Sequence, residues 1–127
     1  MTIDTFLRTC AGISLVGLDT AVFASSAFAG AVFLGPTHPL VNGCYRHWAR
    51  GVLRGCGARL RTRGDAHLDP TGRFVLVSNH LSDLDAPAII ASFFHHDVRF
   101  VAKEELARVP LFGHALRATG NVIVTRS

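Results

Sequence analysis

The first third of the chain is a run of apolar positions with almost no charge. Between residues 9 and 34 the only Lys, Arg, Asp or Glu is Asp19, and residues 20–45 contain none. About 20 apolar residues are enough for a helix to cross the hydrocarbon layer of a bilayer. The pattern predicts one transmembrane helix ending near Gly35 and Pro36. Asp19 is expected near the membrane interface, because a charge at mid-membrane costs about 2.5–3.5 kcal/mol.

A cleaved secretory signal peptide is the alternative for this segment. Residues 27–29 read Ala-Phe-Ala and resemble a cleavage site that follows an apolar run. The apolar residues continue through 31–34, however, and only Arg8 marks a positive region before the run, with Asp4 offsetting its charge. We therefore interpret residues 1–43 as a membrane anchor and not as a cleaved signal peptide.

A basic stripe follows the apolar run. Arg46, Arg50 and Arg54 recur at i, i+4 spacing, which places them on one face of a helix. Tyr45 and Trp48 suit the headgroup zone, and arginines just past a span favour a cytoplasmic location for the rest of the chain. The stripe predicts contact with a membrane surface. A solvated face on a surface helix is the alternative.

From residue 58 the pattern becomes typical of an α/β domain. Residues 58–63 alternate small or apolar residues with arginine, which predicts a strand and a turn. The segments that follow predict strands at 74–77, 98–102 and 121–125, with helices at 88–94 and 111–118. The expected fold class is therefore α/β: an N-terminal transmembrane helix followed by an incomplete β-α-β-α-β domain within residues 44–127.

Three chemically active side chains each follow a predicted strand. Right-handed crossovers make the strands parallel, and ligands collect at the carboxyl ends of such strands. His80, Lys103 and Arg126 stand just past those ends. We expect them to share one rim.

Amino-acid composition limits the kinds of binding partner that the chain is expected to have. Hydrophobic residues make up 49% of the chain and charged residues 17%, against roughly 25% charged in an average domain, which favours a membrane protein. The net charge of +4 is concentrated in residues 46–63, a block suited to anionic surfaces. No zinc-finger or RNA-binding motif accompanies it, so nucleic acid is not an expected partner. Cys10, Cys44 and Cys56 lack the spacing of a zinc site.

The most specific signal for chemistry follows the strand predicted at 74–77. His80 and Asp85 stand five residues apart, which on a continuous helix would separate them by roughly 140°. They can pair if His80 lies in a loop and Asp85 in the first turn of a helix, where Pro87 is tolerated. Asp85 would then hold one imidazole nitrogen while the other takes a proton from a bound hydroxyl. Ser82 and Asp85 also fit a capping pattern, so a purely structural carboxylate is the alternative.

These residues resemble the glycerol-phosphate and lysophosphatidate acyltransferase family. Its first block is Asn-His, four further residues and Asp, often with Ser third after the Asn, and Asn79, His80, Ser82 and Asp85 fit it. Its middle and second blocks resemble residues 103–113 and 120–126. The resemblance covers approximately residues 46–127.

The resemblance implies a reaction and a site. His80 would be the general base that later protonates the leaving thiolate, and Asp85 would hold its tautomer. The loop would be shaped by Asn79 and Ser82, and the acceptor phosphate would be bound by Lys103, Gly120 and Arg126. Acyl-CoA or acyl carrier protein would donate a fatty acyl group to a lysophospholipid, for phospholipid biosynthesis at the cytoplasmic side of the inner membrane. No metal or other cofactor is implied.

The chain departs from the family pattern in two places. Thr125 stands where an acidic residue often precedes the arginine, and Ser127 comes before the family's Glu-Gly-x-Arg block. We therefore expect a truncated chain, and an inactive fragment is one alternative to a working enzyme. The alternatives are an acceptor without phosphate, such as a lyso-ornithine lipid, a non-catalytic membrane-surface module, or a metal-dependent hydrolase that uses His80, Asp83 and Asp85.

Overall fold

The structure is a computed structural model that describes residues 3–64, 69, 71–93 and 95–125. Within these residues two long helices come first, and five shorter elements, three helices and two strands, follow them. In chain order they are α1 (Ile3–Leu34), α2 (Pro39–Gly55), α3 (Asp85–Ser92), β1 (Val101–Lys103), α4 (Glu104–Ala107), α5 (Phe112–Ala118) and β2 (Val122–Val124). The described chain is mostly helical with one small sheet, a mixed α/β fold.

The two N-terminal helices form an antiparallel hairpin. Gly35 reverses the chain with a φ of 96°, in the left-handed region that glycine adopts without strain. α2 then starts at Pro39, and the ring of His38 caps it by accepting a 3.3 Å hydrogen bond from the N–H of Leu40. A Cβ at Gly12, early in α1, would lie 2.7 Å from the carbonyl oxygen of Gly55, the last residue of α2. The absence of side chains lets the backbones approach this closely.

One side of α1 is packed and the other is exposed. Small residues face the domain, and Ala24, Ala27 and Ala31 are buried against α2 and α5. The exposed large apolar side chains of this helix include Ile13, Leu18, Val22 and Phe33. By length and composition α1 could cross a membrane. The prediction of a long apolar N-terminal helix is confirmed, whereas its packing along α2 was not predicted.

Asp19 lies in this helix contact. A Cβ at Gly51 of α2 would collide with its carboxylate. One carboxylate oxygen, Oδ2, is buried and makes no hydrogen bond within the described part of the chain. Asp19 therefore packs against Gly51 of α2.

Within the described residues the sheet has two strands, and the predictions of further strands at 58–63 and 74–77 are wrong. β1 and β2 are parallel, with Val101 opposite Val122 and Lys103 opposite Val124. Residues 58–63 and 74–77 belong to no strand, and Val75 and Val77 are 90% and 88% exposed. An apolar run becomes a strand only when a neighbour completes its hydrogen-bond ladder. Among the residues described, 74–77 has no such neighbour.

The remaining predictions agree with the structure apart from element ends. The predicted helices at 88–94 and 111–118 correspond to α3 and α5. The strand predicted at 98–102 overlaps β1 at residues 101 and 102, and the strand predicted at 121–125 contains β2. The predicted domain boundary after residue 43 falls inside α2. That division of the chain stays a prediction.

Candidate active site

His80 and Asp85 are hydrogen-bonded to each other. Nδ1 of His80 lies 2.9 Å from Oδ2 of Asp85. His80 is in the loop after residue 77, and Asp85 is the first residue of α3. The change from loop to helix between them brings together side chains that a continuous helix would separate.

The same carboxylate oxygen closes the loop. Oδ2 of Asp85 also accepts hydrogen bonds from the backbone N–H groups of Leu81, at 2.7 Å, and Ser82, at 2.8 Å. The hydroxyl of Ser82 accepts from the N–H of Leu84 at 3.1 Å, and the carbonyl of Ser82 from the N–H of Asp85 at 3.0 Å. The N-cap residue of α3 is Leu84, and no side chain makes a capping bond to this helix. The Asp85 carboxylate therefore binds the loop before the helix and contacts His80 at the same time.

The charges follow from these bonds. The imidazole of His80, followed by the N–H groups of Ser82 and Leu81, lowers the pKa of the Asp85 carboxyl below its ordinary value. Asp85 is thus an anion at neutral pH, and an anion can only accept, so Nδ1 of His80 carries a proton. In a neutral imidazole the other nitrogen, Nε2, is then an acceptor. Nε2 makes no hydrogen bond within the described residues, and the His80 side chain is 71% exposed.

Asn79 and Ser82 differ in what they contact. Ser82 takes part in the bonds that shape the loop. Asn79 is exposed and makes no hydrogen bond to His80 or Asp85 in the described chain. Its role in shaping the loop stays a prediction.

The predicted phosphate-binding residues are not gathered at one point. Lys103 is exposed at the carboxyl end of β1, opposite Val124. Gly120 precedes β2 with a φ of 80°, and a Cβ there would lie 3.6 Å from Nε of Arg99, at the amino end of the strand pair. Arg126 lies outside the described residues. No hydrogen bond or ion pair among those described joins Lys103 to His80 or Asp85.

Glu104 follows the carboxyl end of β1, and the sequence patterns assigned it no role. Its carboxylate accepts a 2.9 Å hydrogen bond from Nη2 of Arg108. This bond first, and a hydrogen bond with the Thr125 side chain second, lower the pKa of Glu104. Glu104 therefore connects α4 to the residue that follows β2. The i, i+4 spacing of Glu104 and Arg108 could have indicated the pair, but not the contact with Thr125.

A resident metal finds no ligand set in the described residues. No group of three or more His, Cys, Asp or Glu side chains is arranged to hold a metal ion there. His80, Asp83 and Asp85 do not form such a group. Proton transfer at His80 is the chemistry that the arrangement favours.

Comparison with known proteins identifies the class. The model of the family described as Acyltransferase matches residues 59–127, more than half of the chain. The chain belongs to the Acyltransferase family, and the resemblance inferred from its motifs is confirmed.

A curated relative is 1-acyl-sn-glycerol-3-phosphate acyltransferase of Helicobacter pylori strain J99. It is 31% identical to the chain over 83 residues, a match that covers 61% of the chain and 34% of the relative. The chain thus spans well under half of that protein's length. No solved structure matches the chain with significance.

The lowered pKa of Asp85 predicts a pH dependence of stability. Because the folded-state pKa lies below the unfolded value of about 3.9, the carboxylate stabilises the fold above that value. This contribution is lost as the pH falls through the folded-state pKa. We expect the difference in unfolding free energy between wild type and Asp85→Asn to persist down to about pH 5 and to shrink below about pH 4. Urea unfolding in mild detergent at a series of pH values measures it. A difference that is unchanged at about pH 2 would contradict the pKa shift.

Proposed function

We propose that the protein transfers a fatty acyl group from acyl-CoA or acyl carrier protein to the free hydroxyl of 1-acylglycerol-3-phosphate. The observation that carries this proposal is the hydrogen bond between His80 and Asp85, which leaves Nε2 of His80 available to a substrate. Membership of the Acyltransferase family supports the reaction class. The printed name of the Helicobacter pylori relative supports the acceptor.

The proposed chemistry uses His80 twice. Nε2 takes the proton of the acceptor hydroxyl as its oxygen attacks the thioester carbonyl carbon. When the tetrahedral intermediate collapses, the carbon–sulfur bond breaks and the imidazolium returns the proton to the thiolate. The products are an ester and a free thiol, with no net proton change. The anionic Asp85 stabilises the imidazolium formed between the two steps.

Lys103 is proposed to bind the acceptor phosphate. It is an exposed cation at the carboxyl end of β1, where ligands of parallel sheets collect. An ammonium group attracts phosphate as a point charge, and an arginine can add a bidentate contact. Arg126, two residues after the end of β2, is proposed as that second cation.

The apolar side of α1 is proposed to hold the protein at the inner membrane, with the site on the cytoplasmic side. The exposed Leu18, Val22 and Phe33 support this, since large apolar patches mark membrane or protein contacts. The arginine stripe of α2 would face anionic headgroups. The backbones of α1 and α2 are in close contact at Gly12 and Gly55. This contact would be lost if α1 crossed the bilayer while α2 stayed at the surface.

Substitution at the site tests the reaction. We expect His80→Ala to lower kcat by about 10²- to 10⁴-fold, the usual value of general-base assistance, and Asp85→Asn to lower it substantially because the tautomer is no longer held. The matched control is Asp83→Asn, an exposed carboxylate in the same loop, which should retain activity. Acyl transfer is measured in membranes containing the chain with any sequence that its reading frame encodes after residue 127. Full activity of His80→Ala would contradict the mechanism.

Thiol labelling tests how the hairpin meets the membrane. Cys10 and Cys56 are both exposed and lie near the same end of the hairpin. Variants that retain one cysteine each are treated with a membrane-impermeant maleimide, in intact cells and in inverted vesicles. We expect both thiols to react from the cytoplasmic side. Labelling of Cys10 only from the opposite side would show that α1 crosses the bilayer and that the hairpin contact is broken.

A further inference from the structure

A buried polar cluster joins α2, α5 and the strands at the amino end of the sheet. It consists of Tyr45, Thr119 and Asn121, of which Thr119 is fully buried and Asn121 is 8% exposed. The amide nitrogen of Asn121 donates to the hydroxyl of Tyr45 at 2.8 Å and to the carbonyl of Leu116 at 3.1 Å. The hydroxyls of Tyr45 and Thr119 are 2.6 Å apart. Each polar side chain in the cluster therefore has a partner.

The other end of the Asn121 amide extends the strand ladder. Its Oδ1 accepts a 2.8 Å hydrogen bond from the N–H of Phe100. The carbonyl of Phe100 in turn accepts a 2.9 Å bond from the N–H of Val122. The side chain of Asn121 thus takes the place of a backbone carbonyl, just before Val101 and Val122 pair.

The strand pair needs such a constraint. β1 and β2 are three residues long, so only a few backbone hydrogen bonds between them can specify the register. A shift of one residue would turn the side chains to the other face. It would also separate Asn121 from Phe100, and buried polar groups without partners are costly. The observed cluster is thus satisfied only in the observed register.

We infer that Asn121 is a positioning residue for the acceptor-phosphate site. By holding the register at the amino end of the strands, it keeps Lys103 beside Val124 at the carboxyl end. This inference rests on the proposed function, in which Lys103 binds the acceptor phosphate. Asn121 acts at a distance and contacts no substrate.

Asn121→Ala tests the inference in the full protein, with two readouts. The first is amide hydrogen exchange at Val122, which reports the strand pair without requiring activity. The second is KM and kcat with 1-acylglycerol-3-phosphate and with monoacylglycerol, an acceptor without phosphate. We expect exchange at Val122 to become at least about tenfold faster. We expect KM for the phosphate-bearing acceptor to rise by about tenfold or more while kcat and the KM for monoacylglycerol change little.

Two further variants separate register from general stability. Asn42→Ala removes another side-chain amide that bridges elements, through a 3.2 Å bond to Arg99, but not one in the ladder. Tyr45→Phe removes one cluster partner and leaves the bond between Asn121 and Phe100. Both variants should keep the KM of wild type. If Asn121→Ala does not fold, Asn121→Asp retains an acceptor for Phe100 although it loses the donor to Leu116 and Tyr45. Where this variant folds, it should also keep that KM.

Each outcome of these experiments supports or overturns a stated part of the inference. Unchanged exchange at Val122 in Asn121→Ala would overturn the register role. Faster exchange with an unchanged KM for 1-acylglycerol-3-phosphate would overturn the link to phosphate binding. An equal rise in KM for both acceptors would also overturn it, and so would a raised KM in a folded Asn121→Asp. Wild-type protein that is inactive with both acceptors would overturn the proposed function and the acceptor role with it. The exchange data would still decide the register.

Discussion

The Oδ2 atom of Asp85 accepts hydrogen bonds from the His80 ring and from the N–H groups of Leu81 and Ser82. Three donors on one oxygen connect the loop to the first residue of α3 and keep the carboxyl ionised. The same oxygen orients the imidazole, so removal of the carboxylate would affect both the loop and the tautomer. In the proposed reaction, a proton acceptor is thus prepared before any substrate binds.

The hairpin and the sheet have different physical origins. Helices α1 and α2 approach through glycines and alanines, and large apolar side chains of α1 such as Leu18, Val22 and Phe33 are exposed. The strand pair depends on a buried side-chain amide, because three residues per strand supply few ladder bonds. Tyr45 of α2 contacts that amide. The proposed membrane-bound part and the proposed phosphate-binding part therefore meet in one buried cluster.

Local patterns predicted much of this arrangement. The apolar run predicted α1, the spacing of Arg46, Arg50 and Arg54 agrees with α2, and the five-residue spacing with Pro87 led to the loop-to-helix change at His80. These features depend on residues close in sequence. The strand expected at 74–77 was wrong, because pairing depends on a distant partner that apolar alternation does not reveal.

Other features depend on contacts that no local pattern carries. Nothing near Asp19 indicates Gly51 as its neighbour, and nothing near Asn121 indicates Phe100 and Tyr45. The phosphate site was predicted from family motifs and not from spacing. Its Lys103 and Gly120 lie at opposite ends of the strand pair, and Arg126 falls outside the described residues.

The position of the proton on the His80 imidazole directly tests whether Asp85 prepares His80 as a proton acceptor. Nitrogen NMR of protein labelled with ¹⁵N-histidine distinguishes the two tautomers of a neutral imidazole, and His80→Gln identifies the His80 signals. The proposed mechanism predicts a proton on Nδ1 and none on Nε2 in wild type, with this preference lost in Asp85→Asn. A neutral His80 with its proton on Nε2 would contradict the mechanism, because the nitrogen proposed to receive the substrate proton would already hold one.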